Sequence, residues 1–325
     1  MTTRSEIPEV AGQVLDAGTF CTVAVPTVRG PHATPLVFAW YRDAVWVTTA
    51  RGSIKARAWA RDPRVAGLVR SDRVSVAFTG SVRTYDALDT ATWGTSVLDA
   101  PTLARATARF SRKNARFFAG YAIDARKVPL AWTPPGRVFG RLQLDGGAVL
   151  DDLGPVAVWG SWATEHGPRP TMDRYRSLPA SGAVDSLAGL PEKLGRRLDR
   201  GGDDAALALA TSGGPVVLPA RWAADDRELW AALPSQTRAL GGAPPRGSAA
   251  LSIDRASWWR ARDMAGAMAQ GEAETFALDR LSSGATAAAK KVRATGLDPS
   301  DASLVRLTSD RLVWWQGWSS GTVRP

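Results

Sequence analysis

Short apolar runs with a two-residue period, separated by turns rich in glycine and proline, dominate the chain. This alternation predicts antiparallel strands, and the runs follow one another closely enough for a meander. No alternation of strands with helices occurs, which argues against a doubly wound sheet. The first half is predicted to hold a helix at 9–17, strands at 19–25, 34–41 and 45–49, a short helix at 53–61 and a longer helical segment at 100–122. The pattern therefore predicts a mainly β fold with peripheral helices.

The chain contains an internal repeat. IPEVAGQVLDAG at 7–18 matches LPEKLGRRLDRG at 190–201 with six identities at an offset of 183 residues. After a one-residue insertion, GPHATPLVFAWYRDAVWVTT at 30–49 matches GPVVLPARWAADDRELWAAL at 214–233 at an offset of 184. Two registers joined by a single insertion favour duplication over two unrelated segments of strand-like sequence.

Domain limits follow from this repeat. A stretch rich in proline, serine, glycine and arginine separates the two copies, and 325 residues suit two domains. We expect one small antiparallel barrel written twice, with domains at 1–165 and 190–325 and a linker at 166–189.

Composition argues against several functional classes. The formal net charge is +10, but the arginines are scattered singly, so we expect no nucleic-acid partner. The chain has no apolar run of about 18 residues, and its first dozen residues lack the pattern of a secretory signal. We therefore expect a cytoplasmic protein without a membrane partner. With one cysteine and two histidines, we expect neither a disulfide nor a metal site.

The segment after the third predicted strand carries residues suited to an anion site. That strand ends at Thr48 and Thr49, a turn follows, and Ser53 is placed as the N-cap of a helix whose first turn holds Lys55 and Arg57. A hydroxyl, two cations and a helix N-terminus would converge there, which suits a phosphate. The alternative is a plain helix cap with solvated basic residues, and the local residues by themselves favour it.

Several motifs, in order, resemble a known family. G-P-H-x-T-P-L-x-F at 30–38, S-x-K at 53–55 and R-D-P-R-V-A at 61–66 are similar to motifs of the flavin-binding split-barrel proteins related to pyridoxamine 5'-phosphate oxidase. That family includes proteins that use the deazaflavin F420. The resemblance covers about 18–78 and implies two tandem split antiparallel β-barrels that form an intrachain pseudo-dimer.

The resemblance also implies a cofactor and the residues that hold it. FMN is the expected cofactor. F420 is the alternative, because the positive charge near the phosphate site would attract its polyglutamate tail. Ser53 and Lys55 would hold the phosphate, with Arg57 as a helper. Expected to line the cofactor are Thr48 and Thr49, with Pro35, Leu36 and Val37 along the ring.

On this resemblance the protein is expected to be an FMN-binding or F420-binding oxidoreductase that transfers a hydride or electrons to a small organic substrate. No catalytic acid or base is identified. The alternative is a non-catalytic split barrel that binds flavin or heme, although heme would find only His32, His166 and Cys21 as strong axial ligands. Pyridoxamine phosphate oxidase activity itself is not expected, because the C-terminal segment lacks a match to that enzyme's substrate-binding arginine and histidine.

The second copy departs from the first at the phosphate site. At the offset of 184, Thr237 faces Ser53 and Ala239 faces Lys55, while Pro234 and two glycines are expected to spoil the helix start. We therefore expect a degenerate second site, with one cofactor per chain and the second barrel as the other wall. Either a monomeric pseudo-dimer or a homodimer fits this arrangement.

Other conspicuous residues are assigned structural roles. His32 could hydrogen-bond the edge of a flavin ring, but a half-exposed place at a strand end is favoured. Cys21 is expected to be a small buried residue. The tryptophans at 258–259 and 314–315, with Trp318, could form an aromatic face for a planar ligand, but a place in the barrel core is favoured.

Overall fold

The computed structural model of the chain describes residues 6–86, 88–89, 97–123, 136–162, 187–198, 204–224, 228–255, 263–277, 297–298 and 300–325. The strands are β1 (Phe20–Thr27), β2 (Gly30–Trp40), β3 (Ala44–Ala50), β4 (Arg64–Ser71), β5 (Val74–Tyr85), β6 (Arg137–Asp151), β7 (Gly154–Gly160), β8 (Asp204–Thr211), β9 (Gly214–Ala224), β10 (Leu229–Pro234), β11 (Arg246–Arg255), β12 (Ala265–Ala277), β13 (Ala302–Gln316) and β14 (Ser319–Val323). The helices are α1 (Glu9–Ala17), α2 (Ile54–Arg61), α3 (Ala100–Lys113), α4 (Ala115–Ile123), α5 (Glu192–Leu198) and α6 (Ser235–Leu240).

Strands β1 to β7 form an antiparallel sheet that closes on itself. Their order is β3-β2-β1-β4-β5-β6-β7, and β3 also pairs with β6, so six strands make a barrel that β7 extends beyond β6. The run from Cys21 to Pro26 in β1 is continuously buried. An uninterrupted buried run indicates that both faces of the strand are covered.

The second half of the chain repeats this architecture. Its order is β10-β9-β8-β11-β12-β13-β14, with β10 also paired to β13. The register repeats as well, since Thr27 pairs with Gly30 in the first sheet and Thr211 with Gly214 in the second. The mainly β prediction and the tandem duplication are therefore confirmed.

The helices lie outside the sheets, and one predicted helix is two. The helix at 9–17 has the predicted bounds, but Gly18 after it is extended (φ −60°) rather than left-handed. Glycine is needed there because a Cβ would lie 2.3 Å from Val69 Cγ1. The segment at 100–122 divides at Asn114, whose buried side-chain amide donates to the carbonyls of Phe110 and Phe38. In the part of the chain that the structure describes, no helix has the length and apolar character to cross a membrane.

Helix α6 corrects the expectation that Pro234 and two glycines would spoil the helix start in the second copy. A six-residue helix does form, with Pro234 as its N-cap and Gly241 as its C-cap. Proline is tolerated at a helix start because N–H groups there have no intrahelical partner, and glycine beyond the last turn is favourable. Relative to the sequence offset, α6 begins three residues earlier than α2, whose N-cap is Ser53.

The two barrels pack directly against each other, as a pseudo-dimer requires. One core cluster joins residues of the second barrel with Ala24, Ala33 and Ala66 of the first. Gln270 is fully buried at this seam, where its amide donates to Pro31 O at 2.9 Å and Gly30 O at 3.2 Å. Small side chains let the backbones approach closely enough for these bonds. Of the predicted linker at 166–189, only residues 187–189 are described, so the domain limits stay a prediction.

Replacing Gly30 with alanine is expected to destabilise the fold. Gly30 has φ +93°, and a Cβ there would lie 2.7 Å from Ser248 Cβ of the other barrel. An alanine would strain the backbone at this positive φ, and its Cβ would overpack the seam. We expect the free energy of unfolding to fall by about 2–4 kcal/mol, measured by urea denaturation. The control is Gly12→Ala in α1, where no atom lies within 4 Å and a gain of about 0.5–1 kcal/mol is expected. Equal effects of the two substitutions would contradict this account of the seam.

Candidate functional site

A cavity of about 360 Å³ opens between the two barrels. The first barrel contributes β2, the end of β3, the start of α2 and residues of α4, and the second contributes the β13–β14 hairpin. The residues that line it are His32, Thr34, Pro35, Leu36, Val37, Thr48, Thr49, Ala50, Ser53, Ile54, Lys55, Phe117, Phe118, Arg137, Met264, Val313, Trp314, Trp315, Gly317, Trp318, Ser319 and Ser320. None of them is acidic, and the volume lies in the range of small-molecule sites.

Ser53 has the position that both sequence interpretations gave it. Its Oγ accepts a hydrogen bond from Ala56 N at 3.0 Å, so it caps α2. The same hydroxyl lies 3.0 Å from Thr49 Oγ1, and both residues line the cavity. The cap therefore aims the N-terminus of an eight-residue helix, with its partial positive charge, at this end of the cavity.

Lys55 is buried at this end without a counter-charge. Its side chain is 3% exposed and donates to Thr34 Oγ1, and it forms no ion pair with any described residue. Burial lowers the pKa of the Lys55 ammonium to about 7, against a partly opposing influence of Cys21. A buried cation without a partner is unfavourable, and an anion in the cavity would relieve that cost.

Arg137 is a second cation of the cavity that sequence reasoning missed. Its Nε donates to Thr48 Oγ1 at 2.9 Å and its Nη2 to Thr48 O at 2.8 Å. The pairing of β3 with β6 sets Arg137 opposite Ala50, at the end of β3. The local sequence pattern does not reveal which distant strands pair. Nothing near Arg137 in the chain therefore indicates that this residue lines the cavity.

Aromatic side chains from both barrels form a wall of the same cavity. Trp314, Trp315 and Trp318 of the second barrel and Phe117 and Phe118 of the first line the cavity. The sequence favoured a core position for the three tryptophans. Trp314 and Trp315 do pack against the core, but all three are only partly buried and line the cavity, so the prediction is partly wrong. The tryptophans at 258–259 lie outside the described residues.

The structure brings most of the predicted site residues together. Of the eight predicted, the cavity is lined by Pro35, Leu36, Val37, Thr48, Thr49, Ser53 and Lys55. Arg57 is exposed on α2 and does not line it. His32 lines the cavity and is 6% exposed, so the expectation of a half-exposed strand end is wrong. Cys21 is buried as expected, and burial raises the pKa of its thiol to about 12.

The second barrel lacks these polar side chains at equivalent strand positions. The matched strand registers set His32, Thr34, Thr48, Thr49 and Arg137 against Val216, Leu218, Ala232, Leu233 and Ala302. All five counterparts are buried apolar residues. The same fold therefore forms without these five polar residues. Their presence in the first barrel is connected with the cavity and not with the fold.

The start of α6 is occupied by structural contacts. Thr237 is fully buried and donates to Leu153 O of the first barrel. The guanidinium of Arg238 donates to Ala243 O at 3.1 Å and Pro244 O at 2.8 Å. Thr237 thus attaches α6 to the first barrel, and Arg238 bonds within the second barrel, whereas Lys55 borders the cavity.

Comparison with known proteins gives distant structural similarities. They include a pyridoxamine 5'-phosphate oxidase-related, FMN-binding protein from Nostoc punctiforme (15% identity, covering 44% of this chain and 78% of that chain, TM-score 0.31). A FAD-binding protein from Mesorhizobium loti (16% identity, 46% and 97%, TM-score 0.31) is another. A third is a conserved hypothetical protein from Mycobacterium tuberculosis (20% identity, 50% and 98%, TM-score 0.34). No protein-family model and no curated protein matches the chain. At these TM-scores the similarities assign neither a cofactor nor an activity to this chain.

Replacing Lys55 with methionine is expected to stabilise the ligand-free protein near neutral pH. The lysine pKa is about 7 in the folded protein and near the ordinary 10.5 in the unfolded chain. Between these values the unfolded chain binds more protons, so wild-type stability rises with pH in that window. We expect Lys55→Met to gain roughly 2–4 kcal/mol at pH 6.5 and less at pH 9.5, measured by urea denaturation. Lys193→Met, on the exposed surface of α5, is the matched control, and an equal gain from it would contradict the account.

Proposed function

We propose that the protein binds FMN in the cavity between its barrels and acts as an oxidoreductase on a small organic substrate. The observation that carries the proposal is the buried Lys55, which has no ion pair with any described residue and borders a cavity whose described lining is aromatic in part and contains no acidic residue. A ligand with an anionic group at one end and a planar apolar ring at the other matches both features. The similarity to FMN-binding proteins agrees with this but is too distant to support it independently.

The basic end suits a phosphate monoester. Lys55, the N-terminus of α2 and Arg137 bring positive charge to one part of the cavity, where Lys55 is itself buried. In such surroundings charge-assisted hydrogen bonds are stronger than in water. Lys55 would hold the phosphate directly, and Thr34, which now accepts its hydrogen bond, would orient the ammonium.

The aromatic end suits a fused planar ring. Leu36 and Val37 of β2 give an apolar floor, and the tryptophans of the β13–β14 hairpin give a wall from the other barrel. Aromatic side chains contribute stacking and large contact areas to such a ligand. A bound flavin would supply hydride or electron transfer, while the protein holds the ring and keeps water from it.

Each chain should bind one flavin. The second barrel has apolar residues at the strand positions of the polar set and structural bonds at the start of α6. Its role would be to provide the tryptophan wall. A single chain therefore contains both walls, and a monomer suffices for the site.

F420 is the second candidate. Its longer anionic tail could meet Arg57 and Arg61, which are exposed on α2, whereas Arg51 pairs with Asp86 at 2.5 Å and Arg64 with Asp62 at 2.6 Å. Competition between FMN and F420 for the purified protein measures the preference directly.

The phosphate contact is tested by comparing FMN with riboflavin, which lacks the phosphate. In wild type we expect FMN to bind at one equivalent per chain and more tightly than riboflavin. Lys55→Met should weaken FMN about 10- to 100-fold, as expected for a lost charge-assisted hydrogen bond, and leave riboflavin within about threefold. Fluorescence quenching of the flavin measures both affinities, and Lys193→Met is the control.

Three results would overturn parts of this proposal. If the wild-type protein takes up neither FMN nor F420, the proposal that it binds a flavin is wrong. If it binds two flavins per chain, the proposed role of the second barrel is wrong. A bound flavin that can be reduced chemically but passes no electrons to any of a panel of quinones, nitro compounds and unsaturated carbonyl compounds favours the non-catalytic alternative.

A further inference from the structure

Strand pairing places Arg137 on one face of the first barrel's sheet. Side chains alternate between the two faces along a strand, and residues paired across neighbouring strands share a face. Ala39 pairs with Trp46, and Thr48, two residues further along β3, pairs with Phe139. Arg137 precedes Phe139 by two residues on β6. Arg137 therefore lies on the same face as Ala39 and Thr48.

That face borders the aromatic part of the cavity. Ala39 belongs to an apolar cluster to which β2, β6, α4 and the second barrel all contribute. The members of the cluster include Val37, Phe117, Phe118, Phe139 and Trp318. All of these except Phe139 line the cavity. Arg137, which also lines the cavity, thus lies at the border of its aromatic part.

Lys55 reaches the cavity from the opposite face. Phe38 pairs with Val47, and both belong to the core cluster inside the first barrel. Thr34 precedes Phe38 by four residues on β2 and shares its face. Lys55 donates to Thr34 Oγ1. The ammonium of Lys55 and the guanidinium of Arg137 therefore approach a ligand from different sides of the sheet.

Thr48 holds the guanidinium of Arg137 in place. The Nε of Arg137 donates to Thr48 Oγ1 at 2.9 Å, and its Nη2 donates to Thr48 O at 2.8 Å. The hydroxyl of Thr48 donates in turn to Val138 O at 3.2 Å. Two bonds to one residue fix the orientation of the guanidinium, which is a planar group of N–H donors that can also stack on aromatic rings.

The second barrel lacks both members of this pair. Ala302 pairs with Pro234 as Arg137 pairs with Ala50, and Ala232 occupies the position of Thr48. Both alanines are buried, and the pairing of β10 with β13 is retained. The strand pairing therefore forms without an arginine and a threonine at these positions, which connects the pair with the cavity.

We propose that Arg137 is a binding residue that donates hydrogen bonds to carbonyl oxygens at the edge of the flavin ring, and that Thr48 is a positioning residue that orients it. The inference rests on the proposed flavin function. A flavin ring is apolar at one end and carries two carbonyl oxygens at the other, and buried oxygens of this kind require donors. Arg137 supplies donors beside the aromatic part of the cavity, while the phosphate stays with Lys55.

Four planar ligands separate these contacts. FMN has the phosphate, riboflavin lacks it, lumiflavin has a methyl group in place of the whole side chain, and phenazine has three fused rings without a carbonyl group. Arg137→Met should weaken the three flavins alike, about 10- to 100-fold, and change phenazine less than twofold. Lys55→Met should instead weaken FMN alone. Quenching of flavin fluorescence, or of tryptophan fluorescence for phenazine, measures the affinities.

The outcomes distinguish this inference from the function on which it rests. If wild type binds no flavin, the proposed function fails. If wild type binds FMN but not lumiflavin, or if Arg137→Met weakens FMN alone, the ring contact is wrong. An equal loss of phenazine and lumiflavin would assign Arg137 a structural role, and unchanged affinities for all four ligands would leave it no role in binding. Both results overturn the inference.

Infrared spectroscopy tests the contact without replacing Arg137. In wild type, the carbonyl stretching frequency of bound riboflavin, identified by carbon-13 labelling, should lie below its value in a solvent without hydrogen-bond donors. Thr48→Val removes the hydroxyl that accepts from Nε, so it should return the frequency part of the way and weaken lumiflavin about two- to fivefold. No lowering in wild type would overturn the contact, and no change in Thr48→Val would overturn the positioning role.

Discussion

The close packing of the two barrels is the constraint on which the candidate site depends. Alanines of the first barrel, including Ala24, Ala33 and Ala66, share one core with the second barrel and keep the facing backbones near each other. Gln270 can then bond carbonyls across the seam, and Ala33 N meets Met268 Sδ at 3.1 Å. The same approach sets β2 opposite the β13–β14 hairpin, so the cavity has its two walls only because the barrels are packed this way.

Duplication allows the two copies to differ where a symmetric pair of identical chains could not. The first barrel carries buried polar groups at the cavity, including Lys55, which has no ion pair with any described residue, and His32; burying such groups weakens a core. The second barrel has aliphatic residues at the matching strand positions and supplies aromatic side chains instead. At these matched strand positions, the polar residues of the cavity therefore occur in one copy of the fold and buried aliphatic residues in the other.

Local signals explain what the sequence could predict. Strand periodicity and the Ser53 cap were readable because each depends on residues close together in the chain, and the repeat because both copies keep the same order of residues. The S-x-K segment led directly to the cavity. Arg137 was not readable, since strand pairing brings it to the site from far along the chain. The tryptophans near 314 were recognised as a possible aromatic face, but only the packing of the two barrels decides between that place and the core. Arg57 lies exposed on α2 and outside the cavity lining, because spacing on a short helix does not fix which side of the helix a residue occupies.

The β-hairpin turns illustrate a further consequence of joining both barrels in one chain. Leu153 and Trp318 occupy equivalent turns, yet the first is buried against α6 and the second lines the cavity. If two identical separate chains formed the cavity, dilution would separate its walls. A mutation in one turn would also appear in the turn of the other chain. Here the encounter of the walls is intramolecular, so the integrity of the cavity is independent of protein concentration, and each turn can change without altering the other.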